Sequence, residues 1–461
     1  MAALSCRKTR LNGVIELRFK VIDIQGNGML MKNTKYWICG CLILLAAQTH
    51  VQAAEPQSLY APLPADVTPE LSASGQYAVG VTEVTVTNTD QPQLFSNELT
   101  DRSLKLEIWY PAAESTQPAE YINETRSGRV FSVQAGASRD VAVAGGAQKF
   151  PVVVLSHGYT GYRTIMYYLG EHLASHGYIV AGIDHTDSTN EDIDHESGPF
   201  AGFPSTLFNR SRDQLFTLDA VQNLTQFKAV VAKDDAGLIG YSMGGFGAVN
   251  TVGGCYAFDV TSAGRFTGTQ DPAAAEVLRG KLNSCAGGKA SSAEVDPRWK
   301  AMMALAPWGG TPDLFSASDM QQIRLPVLYV AGDHDDISGY ERIRWLFEQT
   351  GSSDSQLLTY YNARHNIAPH PAPREAMGNE LDIGHYFEPA WRSQSLNDIN
   401  KHFALAWMQC HVRKLADFCE YLEVSGNSDQ AGEYGNLAQP WIGFDHRYGL
   451  GMKMEHKSKT R

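Results

Sequence analysis

The chain has 461 residues, of which 43% are hydrophobic and 19% are charged, and its formal net charge at pH 7 is −12. This length and composition are typical of a globular protein with a substantial core, built as one large domain with insertions or as two domains. The negative charge argues against nucleic acid or an anionic membrane surface as the main partner. It is compatible with a small-molecule or lipid-like substrate.

The N-terminal segment has the features of an export signal. Residues 31–36 are basic, residues 37–47 form an apolar run, and residues 51–53 include small side chains. The apolar run is too short to span a membrane as a stable helix. We therefore expect residues 1–54 to be an N-terminal extension and signal peptide, cleaved near Ala53 or Ala54. The mature protein is then periplasmic or secreted and has no stable membrane span.

Four cysteines follow the predicted cleavage site, and an even number in an exported chain favours disulfides. They are Cys255, Cys285, Cys410 and Cys419. Of the three possible pairings, Cys255–Cys285 with Cys410–Cys419 closes the shortest loops, and we predict this one. Four free buried thiols are the alternative.

Alternating strand and helix patterns run through most of the remaining chain. Apolar or alternating runs predict strands at 81–87, 104–110, 150–155, 178–183, 236–239, 299–306, 325–331 and 356–361. Helical periodicity predicts helices at 164–176, 210–232, 246–252, 340–349 and 396–410. This alternation predicts an α/β fold with a mostly parallel, doubly wound sheet of about eight strands.

The same patterns divide the chain. Residues 55–79 are expected to be a proline-rich linker, residues 80–424 the α/β domain, and residues 425–461 a C-terminal tail. Residues 112–149 are expected to be rich in loops. Residues 253–297 interrupt the alternation after a predicted helix, and we interpret them as a lid-like insertion.

The stretch Gly240-Tyr-Ser-Met-Gly244 lies between a predicted strand and a predicted helix. A G-x-S-x-G pattern in this context is typical of a nucleophile elbow, in which a sharp turn exposes the serine hydroxyl. The helix N-terminus beneath the turn favours developing negative charge. A glycine-rich turn without function is the alternative, and the strand–helix context favours Ser242 as a nucleophile.

A serine nucleophile needs a histidine base that is oriented by an acid. Reactive groups of a parallel sheet gather at the carboxyl ends of its strands. His365 follows the last predicted strand, and Asp335 follows the strand before it. We predict Asp335 as the acid, with Asp336 as the alternative. Asp333 is expected to be structural.

Acyl transfer also requires N–H donors for the tetrahedral oxyanion. We predict the backbone N–H groups of Met243 and Tyr159 for this role. His157 is expected to stabilise a turn, and Ser156 lacks the flanking glycines of a nucleophile. Tyr159 and Trp308 are predicted to bind substrate by flanking its acyl group, with ordinary packing as the alternative.

The segment 184–196 is rich in aspartate, glutamate and histidine, but its spacing fits no known metal-binding loop or helix pattern. We therefore interpret it as a solvated acidic loop. No metal and no organic cofactor are expected.

Several segments resemble a known family. Ile108-Trp-Tyr-Pro-Ala112, Val154-Leu-Ser-His-Gly158, Leu173-Ala-Ser-His-Gly-Tyr178 and Gly240-Tyr-Ser-Met-Gly-Gly245 are similar to motifs of α/β-hydrolases. Over residues 80–410, the chain resembles bacterial platelet-activating-factor acetylhydrolases and dienelactone-hydrolase-like carboxylesterases. Dienelactone hydrolases have a cysteine nucleophile where this chain has Ser242.

A second resemblance is to cutinases and polyester hydrolases. It is carried by Gly158-Tyr-Thr160, Ser242-Met-Gly-Gly245, Leu305-Ala-Pro-Trp308 and Asp335-Asp-Ile337. It implies that the residues matching Tyr159 and Met243 form the oxyanion hole and that the one matching Trp308 lines the acyl site.

The sequence thus predicts an exported serine hydrolase of the α/β-hydrolase fold that cleaves lipid-like or short-chain carboxylic esters. The first alternative is a cutinase or polyester hydrolase. The second is a non-catalytic binding protein of the same fold, because fold alone does not determine function.

Overall fold

A computed structural model describes residues 3–11, 14–22, 55–289, 294–430, 438, 440–445 and 448–457. The chain divides into two compact units, residues 1–53 and 54–461. In the first unit, β1 (Ala3–Leu11) and β2 (Val14–Ile22) pair as an antiparallel hairpin. Residues 31–54, which include the predicted signal peptide, lie outside the described residues.

The second unit is built on one sheet, in which the described residues form twelve strands. They are β3 (Ala78–Pro92), β4 (Leu99–Ala112), β5 (Pro118–Glu124), β6 (Val130–Arg139), β7 (Phe150–Ser156), β8 (Ile179–Asp184), β9 (Val231–Tyr241), β10 (Trp299–Leu305), β11 (Val327–Gly332), β12 (Ser355–Tyr360), β13 (Gly426–Asn427) and β14 (Met452–His456). Their order across the sheet is β13-β14-β12-β11-β10-β9-β7-β8-β4-β3-β6-β5.

The centre of this sheet is parallel. Neighbouring strands from β8 through β7, β9, β10 and β11 to β12 all pair in parallel. Antiparallel pairs join β4 to β8 and β14 to β12 at the two sides. The predicted mostly parallel, doubly wound arrangement is confirmed, with four strands more than the sequence indicates.

Helices cover both faces of the sheet. They are α1 (Tyr167–Ser175), α2 (Phe203–Asn223), α3 (Met243–Thr251), α4 (Val260–Thr267), α5 (Pro272–Leu282), α6 (Ala317–Met320), α7 (Tyr340–Gln349), α8 (Glu380–Ile383), α9 (Ser393–His411) and α10 (Ala416–Cys419). One apolar cluster joins α1 and α9 to residues such as Val153 and Leu155, and another joins α2, α3 and α7 to Val152 and Val154. Successive residues of β7 therefore serve opposite faces, as strand geometry requires.

The segment 112–149 differs from the expected loop-rich excursion. It contains β5 and β6, which pair as an antiparallel hairpin. In β5, Ala119, Tyr121 and Asn123 are buried while the residues between them are exposed. This alternation of period two is the physical reason that the segment forms an edge strand rather than a loop.

The expected linker and tail both differ from the structure. In the segment 55–79, the N–H of Gln57 donates to the carbonyl of Ser132, and the Tyr60 hydroxyl donates to Asn397 at 2.8 Å. In the tail 425–461, β14 pairs with residues 356–360 of β12. Both segments are packed parts of the domain because the edge strands offer them backbone partners.

The two predicted disulfides, Cys255–Cys285 and Cys410–Cys419, are present. The first joins the two ends of the segment that carries α4 and α5, within the predicted insertion 253–297. Across the described parts of the chain, no helix is long and apolar enough to cross a membrane.

Candidate active site

Ser242 occupies a sharp turn between β9 and α3. Its φ of 52° and ψ of −114° are unfavourable for a residue with a side chain. Hydrogen bonds fix this conformation: the Ser242 N–H donates to Leu305 at 2.9 Å, and its carbonyl accepts from the Trp308 N–H at 3.1 Å. A Cβ at Gly240 would overlap the carbonyl of Gly244, so the glycine is required by the close approach of strand and helix.

The predicted base and acid lie next to Ser242. His365 Nε2 is 3.0 Å from Ser242 Oγ, and His365 Nδ1 is 2.9 Å from Asp335 Oδ2. Ser242 is 7% exposed and His365 is 8% exposed, so both residues are largely but not completely buried. The structure thus brings together all three residues in a Ser–His–Asp arrangement that can activate a hydroxyl.

Asp335 is held by several donors. Its Oδ1 accepts from the N–H groups of Ile337 at 2.9 Å and Ser338 at 2.8 Å. Burial by itself raises the pKa of Asp335, but the nearby His365 and these hydrogen bonds outweigh it and lower the pKa below its ordinary value. The carboxylate is therefore ionised and fixed in orientation.

Asp336, the alternative acid, points elsewhere. Its carboxylate forms an ion pair with Arg364, and both side chains are largely exposed. Asp333 Oδ1 accepts from the N–H of Asn362 at 2.6 Å, which is a structural contact between two loops. Neither side chain is hydrogen-bonded to His365.

The two predicted oxyanion donors border Ser242 from two elements, the N-terminus of α3 and the loop after β7. Met243 is the first residue of α3, where a helix leaves its N–H groups without intrahelical partners. Tyr159 follows Gly158, and a Cβ added to Gly158 would lie 3.0 Å from the Cβ of Ser242. Within residues 55–289 and 294–430, neither N–H donates to a protein acceptor. Both are available to a ligand beside the serine.

Aromatic side chains cluster next to the Ser242 turn, to which Trp308 is joined by its backbone N–H. The ring of Phe203 is 5.4 Å from both Tyr159 and Trp308, and the ring of Phe266 is 5.5 Å from Trp308. We call Tyr159, Phe203, Phe266 and Trp308 the aromatic wall. Burial raises the pKa of Tyr159 to about 12, so its hydroxyl is protonated at neutral pH.

Sequence reasoning missed two members of this wall. Phe203 is the first residue of α2, and Phe266 belongs to α4 in the insertion. The amphipathic pattern of each helix indicates only which side is buried. Their contact with Trp308 depends on how distant segments pack, and no local signal reports it.

A second Ser–His–Asp arrangement lies behind the first. Ser156 Oγ is 2.8 Å from His185 Nε2, and His185 Nδ1 is 2.9 Å from Asp213 Oδ2. Ser156 is 0% exposed, so substrate has no access to it. Burial lowers the pKa of His185 to about 3, which keeps the imidazole neutral. Gln214 Nε2 donates to both Ser156 Oγ and the carbonyl of Gly244, which connects this network to the nucleophile turn.

The acidic segment 184–196 is only partly the solvated loop that we expected. His185 is 1% exposed, and its N–H donates to His157 Nε2 at 3.2 Å. Asp184 pairs with Arg163 at 2.6 Å. These buried contacts arise because the segment passes directly under the loop that carries Tyr159. Among the described residues, no group of three or more candidate ligands is placed to hold a metal ion.

Two protein-family profiles match this chain, and both matches lie within its first 254 residues. Residues 67–192 match the family profile of platelet-activating factor acetylhydrolase, isoform II, and residues 141–254 match the PET hydrolase-like profile. Together the two segments include Tyr159 and Ser242. Asp335 and His365 lie outside both matches.

Two curated relatives are platelet-activating factor acetylhydrolases. The protein from Canis lupus familiaris is 50% identical over 42 residues, which are 9% of this chain and 10% of the relative. The protein from Cavia porcellus is 29% identical over 136 residues, which are 25% of this chain and 28% of the relative. The matches thus span less than a third of the length of either relative.

A solved structure covers more of the fold. The ferulic acid esterase from Streptomyces cinnamoneus superimposes on 78% of this chain and 94% of its own, with a TM-score of 0.51 and 18% identity. At this identity the likeness shows the fold alone, and it agrees with the predicted class. Together, the sheet, the nucleophile turn and these matches show that the chain has the α/β-hydrolase fold and is similar to esterases of that fold.

Proposed function

We propose that this chain is an exported serine hydrolase that cleaves carboxylic esters through an acyl-enzyme. The observation that carries the proposal is the continuous contact from Ser242 Oγ to His365 Nε2 at 3.0 Å and from His365 Nδ1 to Asp335 Oδ2 at 2.9 Å. Export is supported by the leader-like sequence and by two disulfides, which persist in oxidising compartments.

In the first half-reaction, Ser242 Oγ attacks the ester carbonyl carbon while its proton passes to His365 Nε2. The N–H groups of Tyr159 and Met243 donate to the tetrahedral oxyanion. When the intermediate collapses, the ester C–O bond breaks and the alcohol leaves with the proton from His365. The acyl group stays on Ser242.

In the second half-reaction, water attacks the acyl carbon and gives its proton to His365. The bond to Ser242 then breaks, Oγ recovers the proton, and the carboxylic acid leaves. Asp335 remains ionised throughout. It orients the imidazole and stabilises its positive charge.

The substrate is a lipid-like or short-chain acyl ester in this proposal, because the aromatic wall offers an apolar surface beside Ser242. The PET hydrolase-like match over residues 141–254 favours a polyester as the second candidate. Tyr159 and Trp308 are partly exposed, as a surface that contacts a polymer requires.

The test measures initial rates on p-nitrophenyl esters from acetyl to decanoyl, and release of soluble products from a polyester film. Ser242→Ala is compared with the unsubstituted chain, and circular dichroism checks that both fold alike. We expect the variant to lose roughly 10³-fold or more in kcat. A fluorophosphonate should add one adduct mass to the native chain and none to the variant.

The results separate the candidates. A rate that depends on acyl length in soluble esters supports the lipid-like substrate, whereas release from the film supports the polyester. Equal rates in the two proteins would remove Ser242 from the mechanism. Absence of turnover together with absence of labelling would favour the non-catalytic binding protein.

A further inference from the structure

Arg126 carries a partly enclosed guanidinium. It lies in the turn between β5 and β6, is only partly exposed, and its Nε is enclosed with no acceptor. Across residues 55–289 and 294–430, its guanidinium forms no hydrogen bond and no ion pair. Burial lowers the pKa of Arg126, although nearby groups that include the Asp382 carboxylate act in the opposite direction. Such a charge is costly unless an anion reaches it.

Two histidines with free ring nitrogens lie near this guanidinium. His385 Nδ1 and His195 Nε2 are enclosed and have no hydrogen-bond partner. The positive charge of Arg126 acts on both imidazoles and contributes to lowering their pKa, after the larger effect of burial. A protonated nitrogen on either ring offers a further donor to the same ligand.

Hydrogen bonds fix Arg126 and His385 to the same junction. The next residue, Ser127, donates to Asp382 through its N–H at 2.7 Å and its hydroxyl at 2.5 Å. The backbone carbonyl of Asp382 in turn accepts a hydrogen bond from the backbone N–H of His385 at 3.1 Å. Both Asp382 carboxylate oxygens are therefore engaged by Ser127, and they do not pair with Arg126.

This junction adjoins the loop that carries His365. Asn366, the next residue, donates to the carbonyls of Gly384 at 2.9 Å and Phe387 at 3.0 Å. The ring of Tyr241 is 5.3 Å from His365, and Tyr241 is close enough to Arg126 to interact with it electrostatically. The junction next to Arg126 is therefore hydrogen-bonded to the loop that carries His365, the predicted base for Ser242.

We propose that Arg126, assisted by His385 and His195, binds an anionic oxygen group, carboxylate or phosphate, of the ester substrate. A planar guanidinium fits both groups with two parallel hydrogen bonds. This inference rests on the proposed esterase function and narrows its substrate to esters that carry a negative charge away from the reacting carbonyl.

The experiment compares charged and neutral esters of matched size. Mono-p-nitrophenyl glutarate against p-nitrophenyl pentanoate places a carboxylate on the acyl side. On the alcohol side, 4-acetoxybenzoate and 4-acetoxyphenyl phosphate are each compared with phenyl acetate. In at least one pair, we expect Arg126→Gln to raise KM for the charged ester roughly 10- to 100-fold, the range of a lost charge-assisted contact. Rates on the neutral ester should change less than about two-fold.

Two further variants act as controls. Arg129→Gln removes the same charge three residues away, where the side chain is exposed and donates to the carbonyl of Glu375. It should leave every KM unchanged. Arg126→Lys should restore part of the preference. The melting temperature of Arg126→Gln should stay close to that of the native chain, because no hydrogen bond or ion pair of the described residues is lost.

The charged and neutral esters also distinguish a failure of the Arg126 proposal from a failure of the esterase proposal. If neutral esters are cleaved and Arg126→Gln changes no charged-to-neutral ratio in any pair, the Arg126 proposal is overturned while the esterase function stands. If none of these esters, charged or neutral, is cleaved, the esterase proposal fails first. Equal effects of the Arg126 and Arg129 variants would indicate long-range charge alone and also overturn the site.

Discussion

At the scale of single residues, the orientation of Asp335 separates two adjacent carboxylates that the sequence alone does not distinguish. Asp335 contacts both His365 and the backbone N–H groups of the following turn, whereas Asp336 faces an exposed arginine. A fixed carboxylate selects one tautomer of its histidine and stabilises the imidazolium. The geometry of this turn therefore decides which aspartate acts as the acid, and that geometry cannot be read from the sequence alone.

Replacing Asp335 with Asn should lower kcat on p-nitrophenyl acetate by roughly 10²- to 10⁴-fold, because the amide no longer stabilises the imidazolium or selects its tautomer. KM should change little, since Asp335 does not reach the substrate. Asp336→Asn is the matched control and should retain nearly full activity. The reverse ranking of these two variants would assign the acid to Asp336.

At the scale of elements, the insertion completes the aromatic wall. Helix α4 carries Phe266 to Trp308, and the disulfide Cys255–Cys285 closes the segment that holds α4 and α5. The entropy of closing a loop of 30 residues stabilises the fold by about 3 to 4 kcal/mol. Looser ends would let Phe266 leave the wall without affecting Ser242 directly.

Replacing Cys255 and Cys285 together with Ala should lower the melting temperature and raise KM for octanoyl esters several-fold, with less effect on acetyl esters. The double variant Cys410→Ala and Cys419→Ala is the control, because its disulfide joins α9 to α10. It should lower the melting temperature without changing the dependence on acyl length. Identical acyl-length profiles in all three proteins would contradict a role of the insertion in substrate binding.

Much of the central sheet was predictable because its strands are continuous apolar runs with local turn signals. The predicted strand 150–155 matches β7, and the predicted helix 340–349 matches α7. The edge strands were not predicted. β14 is short and pairs with β12, which lies far away along the chain, so no local pattern indicates the pairing. The alternation in β5 was visible, but it was too brief to outweigh the polar residues around it.

The candidate site likewise contains residues that could be predicted from the sequence and residues that could not. Ser242, Asp335 and His365 are found from strand ends and glycine spacing, and the structure brings them within hydrogen-bond distance. Phe203, Phe266 and Arg126 were not singled out. Their positions beside the site depend on packing between α2, α4, the β5–β6 turn and the sheet, and such packing leaves no trace in local sequence.

At the scale of the whole molecule, buried neutral histidines make stability depend on pH. Burial lowers the pKa of His185 and His402 to about 3 and of His370 to about 4. The same effect lowers the pKa of three other buried imidazoles, those of His157, His172 and His385. Their pKa in the unfolded chain is about 6.5.

Between about pH 6.5 and pH 4, the unfolded chain therefore binds protons that the folded chain excludes. The contribution of these imidazoles to the free energy of unfolding therefore falls as pH falls through this window. We expect the urea midpoint to drop clearly from pH 7.5 to pH 5, and His402→Asn to reduce the proton uptake by about one. Asp335 has a lowered pKa, and its contribution is lost only below about pH 4. A midpoint that is constant over this range would contradict the burial of these imidazoles.

The antiparallel strand β14 has a consequence for how the chain is made. Until Met452–His456 has been synthesised, β12 has a bare row of backbone N–H and C=O groups along one side. An uncovered edge of this kind is a template for pairing with other chains. A nascent or truncated chain that ends before β14 should therefore form intermolecular aggregates and depend on chaperones, although every residue of the candidate site is already present.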